Sequence, residues 1–236
     1  MTVRLMLTCL CDAFYGEVGV AAVKVLERSG CTVVFDHDQT CCGQPAFNAG
    51  DWDEARPVAQ RTARLFGLDS DEGDPVVVPS ASCAAMLRHG YAMLGVNVPA
   101  RAYELCEFVV DVLKIPTWGG TVPSRRVGFH RSCHARMMGL RDQQEALLRS
   151  VSGVEVVEFA SQDQCCGFGG AFSVTHGKVS EGIGLEKLRQ LERAGVEQVV
   201  SGDVGCLMQM QGLASRNGVD LTFAHVAQVL AEAEGA

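Results

Sequence analysis

Short apolar runs alternate along the chain with longer stretches in which apolar residues recur every three or four positions. The short runs, rich in Val, Leu and Phe, predict buried strands at residues 3–8, 32–35, 75–79, 126–130, 154–159 and 198–200. The longer stretches predict helices at residues 18–26, 55–66, 80–94, 103–113, 137–151 and 179–191, and a further helix begins near Cys206. Strands that alternate with helices are typical of parallel sheets covered on both faces, so we expect an α/β fold.

The order of these elements occurs twice. Each copy predicts strand, helix, strand, loop, helix, strand and a further helix, and Pro and Gly residues concentrated at 116–120 separate the copies. We therefore expect two tandem Rossmann-like parallel-sheet units, related by internal duplication and by a pseudo-twofold axis. The predicted domains are residues 1–120 and 121–236.

The cysteines repeat with the same period. The interval from the first thiol of each copy to an adjacent Cys-Cys pair is 32 positions in both copies. The interval from that pair to the last thiol is 41 positions in the first copy and 40 in the second. The matched thiols are Cys9, Cys41, Cys42 and Cys83 in the first copy and Cys133, Cys165, Cys166 and Cys206 in the second. Burial in a core would not require matched spacing, which favours a shared function for these eight side chains.

Each matched thiol follows a predicted strand. Ligands of open parallel sheets bind at the carboxyl ends of the strands, so we expect the four thiols of each copy to converge there. Cys83 and Cys206 also lie at predicted helix starts, where Ser80 or Ser82 and Asp203 are candidate N-caps and where an anionic thiolate is favoured.

The overall composition limits the classes of function. A formal net charge of -8 disfavours nucleic-acid binding, which needs clustered Lys and Arg. No run of 18 apolar residues occurs, so we predict no membrane span. An odd total of 11 cysteines favours free or metal-bound thiols in a reducing compartment over a disulfide scaffold.

Four thiolates at one sheet edge indicate either a zinc or an iron-sulfur site. Compact Cys-x2-Cys knuckles, usual in structural zinc sites, do not occur, and neighbouring thiolates reach separate iron corners of a cluster more easily than one zinc ion. Gly43 and Gly167 follow the Cys-Cys pairs, and we expect them to turn with positive φ and bring amide groups close to sulfur.

Other residues are weaker candidates. His130 and His134 flank Cys133 and could supply a mixed ligand, a proton donor or a partner in Cys/His catalysis. Cys11, Cys31 and Cys106 have no counterpart in the other copy and are predicted to be buried packing residues. The segment 167–170 is not a dinucleotide fingerprint, so we expect no NAD or FAD in this chain.

The doubled Cys-Cys-Gly pattern resembles the cysteine-rich CCG family, whose members occur in heterodisulfide reductases, glycolate oxidases and anaerobic glycerol-3-phosphate dehydrogenases. The resemblance spans essentially the whole chain and is strongest to the stand-alone lactate-utilization branch. It implies an iron-sulfur protein that works in a cytoplasmic complex, with iron-sulfur partner proteins, to oxidise L-lactate to pyruvate.

The chain departs from the family pattern at one point. The fuller family motif ends in Cys-x-x-Cys, whereas Met86 and Gln209 stand at the final positions here. Four matched thiols per copy therefore imply a four-ligand cluster, [4Fe-4S], one in each half. A thiol-disulfide redox subunit and a zinc-stabilised interaction module are the alternative functions.

Overall fold

The computed structural model describes residues 1–70, 72–98 and 101–233 and contains two four-stranded parallel sheets. The first sheet has the order β2-β1-β3-β4 and consists of β1 (Thr2–Leu5), β2 (Thr32–Phe35), β3 (Val76–Val78) and β4 (Ala102–Glu104). The second has the order β6-β5-β7-β8 and consists of β5 (Thr121–His130), β6 (Ser152–Val156), β7 (Gln198–Ser201) and β8 (Thr222–His225). The identical strand order confirms the α/β class and the two tandem units related by duplication.

Helices connect the strands and cover the sheets. In the first half they are α1 (Cys9–Phe14), α2 (Gly16–Arg28), α3 (Gln44–Ala49), α4 (Trp52–Leu65), α5 (Ala81–Ala85), α6 (Tyr91–Met93) and α7 (Leu105–Glu107). Wider π-helical segments follow α5 at Met86–Gly90 and α7 at Phe108–Val112. In the second half they are α8 (Cys133–Met137), α9 (Gln143–Arg149), α10 (Ala171–Thr175), α11 (Gly177–Arg193), α12 (Val204–Asn217) and α13 (Val226–Glu232). Within the described ranges, every helix is too short or too polar to cross a membrane.

Several predicted boundaries were wrong. Tyr103 lies in strand β4 and not in a helix, because the segment pairs with β3 before the chain turns into α7. The single helix predicted at 137–151 is two helices, since Gly139 adopts a left-handed φ of 78° after α8. Strand β8 and helix α13 were not predicted. The domain division at residue 120 stays a prediction, although the first sheet ends at Glu104 and the second begins at Thr121.

The two sheets share one apolar core. Side chains of β1 and α2 from the first half pack in the same buried cluster as side chains of β5, α9 and α13 from the second. Trp118 lies at the edge of this cluster and donates a hydrogen bond of 2.8 Å from Nε1 to the Leu230 carbonyl, while the Arg28 guanidinium lies 4.8 Å from its ring centroid. Each sheet has a separate cluster on its other face, so both faces are covered.

Candidate metal centre

One cavity of about 220 Å³ is lined by all eight matched cysteines. It lies where loops from the carboxyl ends of both sheets meet, and it also contacts Gln44, His134 and Asp203. Each set of four thiols comes together at its own sheet edge, as the strand pattern predicts. The structure adds that both sets face the same cavity.

The thiols of the first half form two close pairs. The Sγ atoms of Cys9 and Cys41 are 3.5 Å apart, and those of Cys42 and Cys83 are 3.3 Å apart. Cys42 and Cys83 are buried, whereas Cys9 and Cys41 are partly exposed. This arrangement brings thiols that follow three different strands within reach of one ligand.

In the second half a buried histidine lies beside two of the thiols. The Sγ atoms of Cys166 and Cys206 and one ring nitrogen of His130 all lie within 4.8 Å of one another. Cys133 is the exposed thiol of the set, and its Sγ accepts a contact of 3.9 Å from Arg136 Nη2.

The glycine after each Cys-Cys pair adopts the predicted left-handed conformation. Gly43 has a φ of 89° and Gly167 a φ of 90°. Their amides donate to the sulfur two residues earlier, at 3.4 Å to Cys41 Sγ and 3.3 Å to Cys165 Sγ. A Cβ at Gly167 would collide with the Ser180 carbonyl oxygen, so the turn requires glycine.

Two helix starts hold the last thiol of each set. Asp203 caps α12 through Oδ1, which accepts a 3.2 Å hydrogen bond from the Gly205 amide, as predicted. Its Oδ2 accepts a 2.8 Å hydrogen bond from the Ser82 amide at the start of α5 in the other half. Among the described residues, Ser80 makes no side-chain cap of α5, and its hydroxyl instead lies 3.0 Å from that of Ser82.

The chain is similar to known proteins over almost its whole length. The model of the cysteine-rich CCG domain matches residues 3–88 and 127–211, one copy in each half. Proteins named lactate utilization protein A are similar over 98% of this chain, with 42% identity in Geobacillus kaustophilus and 40% in Shouchella clausii. Each alignment also covers 98% of the relative.

The chain belongs to the cysteine-rich CCG family. Each domain copy lies within one sheet unit and contains one complete set of matched thiols, which confirms the resemblance seen in the sequence. The relatives extend over nearly the same length, so the likeness covers the complete cavity.

The donor set of this CCG protein fits a sulfur-ligated metal. Hydrogen bonds from the thiols of Cys42 and Cys9 lower the pKa of Cys41 to about 3, and the Gly43 amide adds to the effect. The hydrogen bond to Cys41 raises the pKa of Cys9. For Cys42, hydrogen bonds with Cys41 and Cys83 raise the pKa together with burial. Thiols that share protons in this way compete for one negative charge, and a cation beside them would stabilise all of them as thiolates.

The two candidate histidines differ in position. His134 is partly exposed on the cavity wall, and its Nε2 lies 3.2 Å from the side-chain nitrogen of Gln44 in the other half. His130 is fully buried at the end of β5, and burial lowers the pKa of its ring to about 3, so the ring is neutral at pH 7.

The three unmatched cysteines are buried among apolar side chains, as predicted. Cys11 packs against Val18 and Val204, while Cys31 and Cys106 lie in the core shared by the two sheets.

Residues that the sequence analysis missed support the Cys-Cys loops. In the first half the Thr62 hydroxyl donates to the Cys41 carbonyl at 3.2 Å and the Tyr91 hydroxyl to the Cys42 carbonyl at 3.0 Å. In the second half buried Lys187 donates to three carbonyls of the loop before Cys165. The sequence contained a signal for the burial of Lys187, because this residue lies in the apolar stripe of α11 with Leu188 and Leu191.

Proposed function

We propose that this protein is an iron-sulfur redox subunit of a cytoplasmic complex that oxidises L-lactate to pyruvate. The observation that carries the proposal is the convergence of eight thiols from two duplicated sheets on one cavity. Support for the substrate comes from the relatives named lactate utilization protein A.

In this proposal each half holds one [4Fe-4S] cluster. Cys9, Cys41, Cys42 and Cys83 are the ligands in the first half, and Cys133, Cys165, Cys166 and Cys206 are the ligands in the second. When bound, the clusters supply one-electron transfer. The amides of Gly43 and Gly167 point at ligand sulfurs, where hydrogen bonds stabilise negative charge and tune the potential.

Oxidation of L-lactate removes two electrons and two protons. The carbon that bears the hydroxyl group loses its hydrogen, the hydroxyl loses its proton, and the C–O single bond becomes the carbonyl of pyruvate. The iron-sulfur centres that the eight thiolates would hold, and those of partner subunits, would supply one-electron acceptors for these two electrons. Partners are required because the sequence has neither a ferredoxin-type cysteine run nor a nucleotide fingerprint.

Anaerobic reconstitution with iron and sulfide tests the cofactor. We expect visible absorption near 400 nm, iron and acid-labile sulfide in equal amounts, and an electron paramagnetic resonance signal after reduction. Zinc without sulfide in anaerobically purified protein would instead support the interaction module. Turnover of a small disulfide, with no lactate-dependent reduction, would support the thiol-disulfide alternative.

Growth on L-lactate as sole carbon source tests the physiological role. In cells without another lactate dehydrogenase, Cys166→Ser should abolish growth because it removes a proposed ligand. Cys11→Ser is the matched control, since Cys11 is also buried but lies in an apolar cluster. Normal growth with Cys166→Ser at wild-type protein levels would defeat the proposal.

A further inference from the structure

His130 lies beside two of the proposed thiolate ligands of the second half. It ends strand β5, three positions before Cys133, and none of its surface is exposed. One of its ring nitrogens lies within 4.8 Å of the Sγ atoms of both Cys166 and Cys206, and these two thiols lie within 4.8 Å of each other. This spacing suits three ligands around one metal ion.

Neither ring nitrogen of His130 has a hydrogen-bond partner within the described part of the chain. Burial of an unpaired polar atom is unfavourable, and most buried imidazoles therefore bond to at least one group. His225 ends β8 at the same sheet edge and shows the usual arrangement, with Nδ1 accepting a 3.1 Å hydrogen bond from the Ala227 amide. His130 lacks such a contact, and its surroundings offer sulfur where a partner would be expected.

The first half has no imidazole at the matched position. Met6 stands three positions before Cys9, as His130 stands before Cys133, and Met6 is also fully buried. The space therefore exists in both halves, but only the second fills it with a nitrogen donor. The difference points to a role specific to the second centre, because Met6 shows that an apolar side chain is sufficient to fill this space.

We propose that His130 takes the place of the exposed Cys133 as the fourth ligand of the metal centre in the second half, together with Cys165, Cys166 and Cys206. That centre then has mixed nitrogen and sulfur ligation, whereas the first has sulfur ligands. The inference rests on the proposed function and deepens it. A neutral imidazole donates less negative charge than a thiolate, and histidine ligation raises the potential of iron-sulfur centres. The second centre is then the more easily reduced of the two.

The direct test is pulsed electron paramagnetic resonance of reduced, reconstituted protein labelled with ¹⁵N-histidine. A Cys41→Ser, Cys42→Ser background removes the first centre, so the signal comes from the second. We expect a strong ¹⁵N coupling from a directly bound nitrogen. Its absence in protein with a full complement of iron and sulfide in the second half would overturn the inference and leave the proposed function intact.

Two variants assign the nitrogen. His130→Met introduces the residue that the first half already accommodates, and it should remove the coupling and shift the midpoint potential of the second centre. His134→Asn changes the other histidine beside Cys133 and should leave the ¹⁵N coupling unchanged. Retention of the coupling in His130→Met would contradict the assignment.

A second measurement tests the ligation by His130 if no iron-sulfur cluster assembles. If the protein binds zinc and no iron or sulfide, the proposed function fails. X-ray absorption at the zinc edge then decides the ligand question separately, because it distinguishes nitrogen from sulfur neighbours. One nitrogen ligand that His130→Met removes would support the inference, and all-sulfur coordination would overturn it.

Discussion

Lys187 is a buried cation beside the second pair of adjacent cysteines. Its Nζ donates to the carbonyls of Ser161, Gln162 and Gln164 at 3.2, 2.7 and 3.2 Å. It also lies 4.8 Å from the centroid of the Phe159 ring. The ammonium group therefore holds the loop that ends at Cys165 in one conformation.

Lys187→Met should loosen this loop. Three carbonyls would lose their donor, and we expect a loss of about 1–3 kcal/mol in the free energy of unfolding. Iron content of the second centre should fall, and that of the first should not. Lys178→Met, at an exposed position of the same helix, is the control and should change stability by less than about 0.5 kcal/mol. Equal urea midpoints for both variants would argue against the role of Lys187.

Glu104 is a second buried ionisable residue and lies between the two halves. Its Oε2 accepts from the amides of Cys106 and Glu107, and its Oε1 accepts a 3.0 Å hydrogen bond from Gln144. Burial raises its pKa from 4.5 to about 7. The folded protein therefore holds a proton on Glu104 at pH values where the unfolded chain has lost it.

This difference predicts a decrease in stability as pH rises. Because the pKa is raised in the folded state, the stabilisation is complete below about pH 4.5 and is lost as pH rises to about 7. The expected loss is up to about 3 kcal/mol. Glu104→Gln should remove this part of the profile, as measured by denaturant unfolding from pH 5 to 8. Glu192→Gln, at an exposed site, should show the same pH dependence of stability as the wild type. If Glu104→Gln also kept the wild-type pH dependence, the assignment to Glu104 would be wrong.

At the scale of elements, one carboxylate joins the helices that carry Cys83 and Cys206. Asp203 accepts hydrogen bonds from the first turn of α12 and from the first turn of α5 with separate oxygens. It is 4% exposed, so both bonds are protected from water. The positions of Cys83 and Cys206 relative to each other therefore depend on the Asp203 side chain.

Asp203→Asn should break one of the two bonds, because an amide has only one oxygen acceptor. We expect a loss of about 1.5–3 kcal/mol, typical of a bond to a charged group, and faster reaction of Cys83 and Cys206 with a thiol reagent. Asp142→Asn is a suitable comparison, since Asp142 is exposed at the start of α9 and makes no side-chain cap there. Unchanged stability and thiol reactivity in Asp203→Asn would show that the link is dispensable.

At the scale of the whole molecule, the shared core makes the two sheets depend on each other. Helix α13 ends the second half but packs against α2 of the first, and Arg28 donates to the carbonyls of Leu230 and Ala233. We therefore expect both halves to unfold in a single cooperative transition.

Leu230→Ala tests this dependence. Leu230 is fully buried in the shared core, and its truncation should cost about 2–5 kcal/mol. Hydrogen exchange of β3 and β7 should accelerate by equal factors. Leu68→Ala, in the cluster that belongs to the first sheet, should also affect both strands. Acceleration confined to one sheet in either variant would show that the halves unfold independently.

The sequence by itself determined the fold class, the duplication and the grouping of the thiols within each half. These features depend on local information, since apolar periodicity reports strands and helices and the strand ends determine where Cys9 or Cys133 emerges. It also determined the left-handed turns at Gly43 and Gly167, because few residues other than glycine adopt that conformation. Strand β8 was missed because its sequence, Thr222-Phe223-Ala224-His225, lacks the run of β-branched residues that marks the equally short edge strand β2.

Only the tertiary structure decided that both sets of thiols face one cavity. That outcome follows from the packing of the two sheets about a shared core, which joins residues more than 200 positions apart, such as Arg28 and Leu230. The same packing brings Asp203 to Ser82 and buries His130 beside Cys166 without a hydrogen-bond partner among the described residues. Spacing along a chain specifies local conformation, but contacts between distant segments depend on how their buried faces fit together.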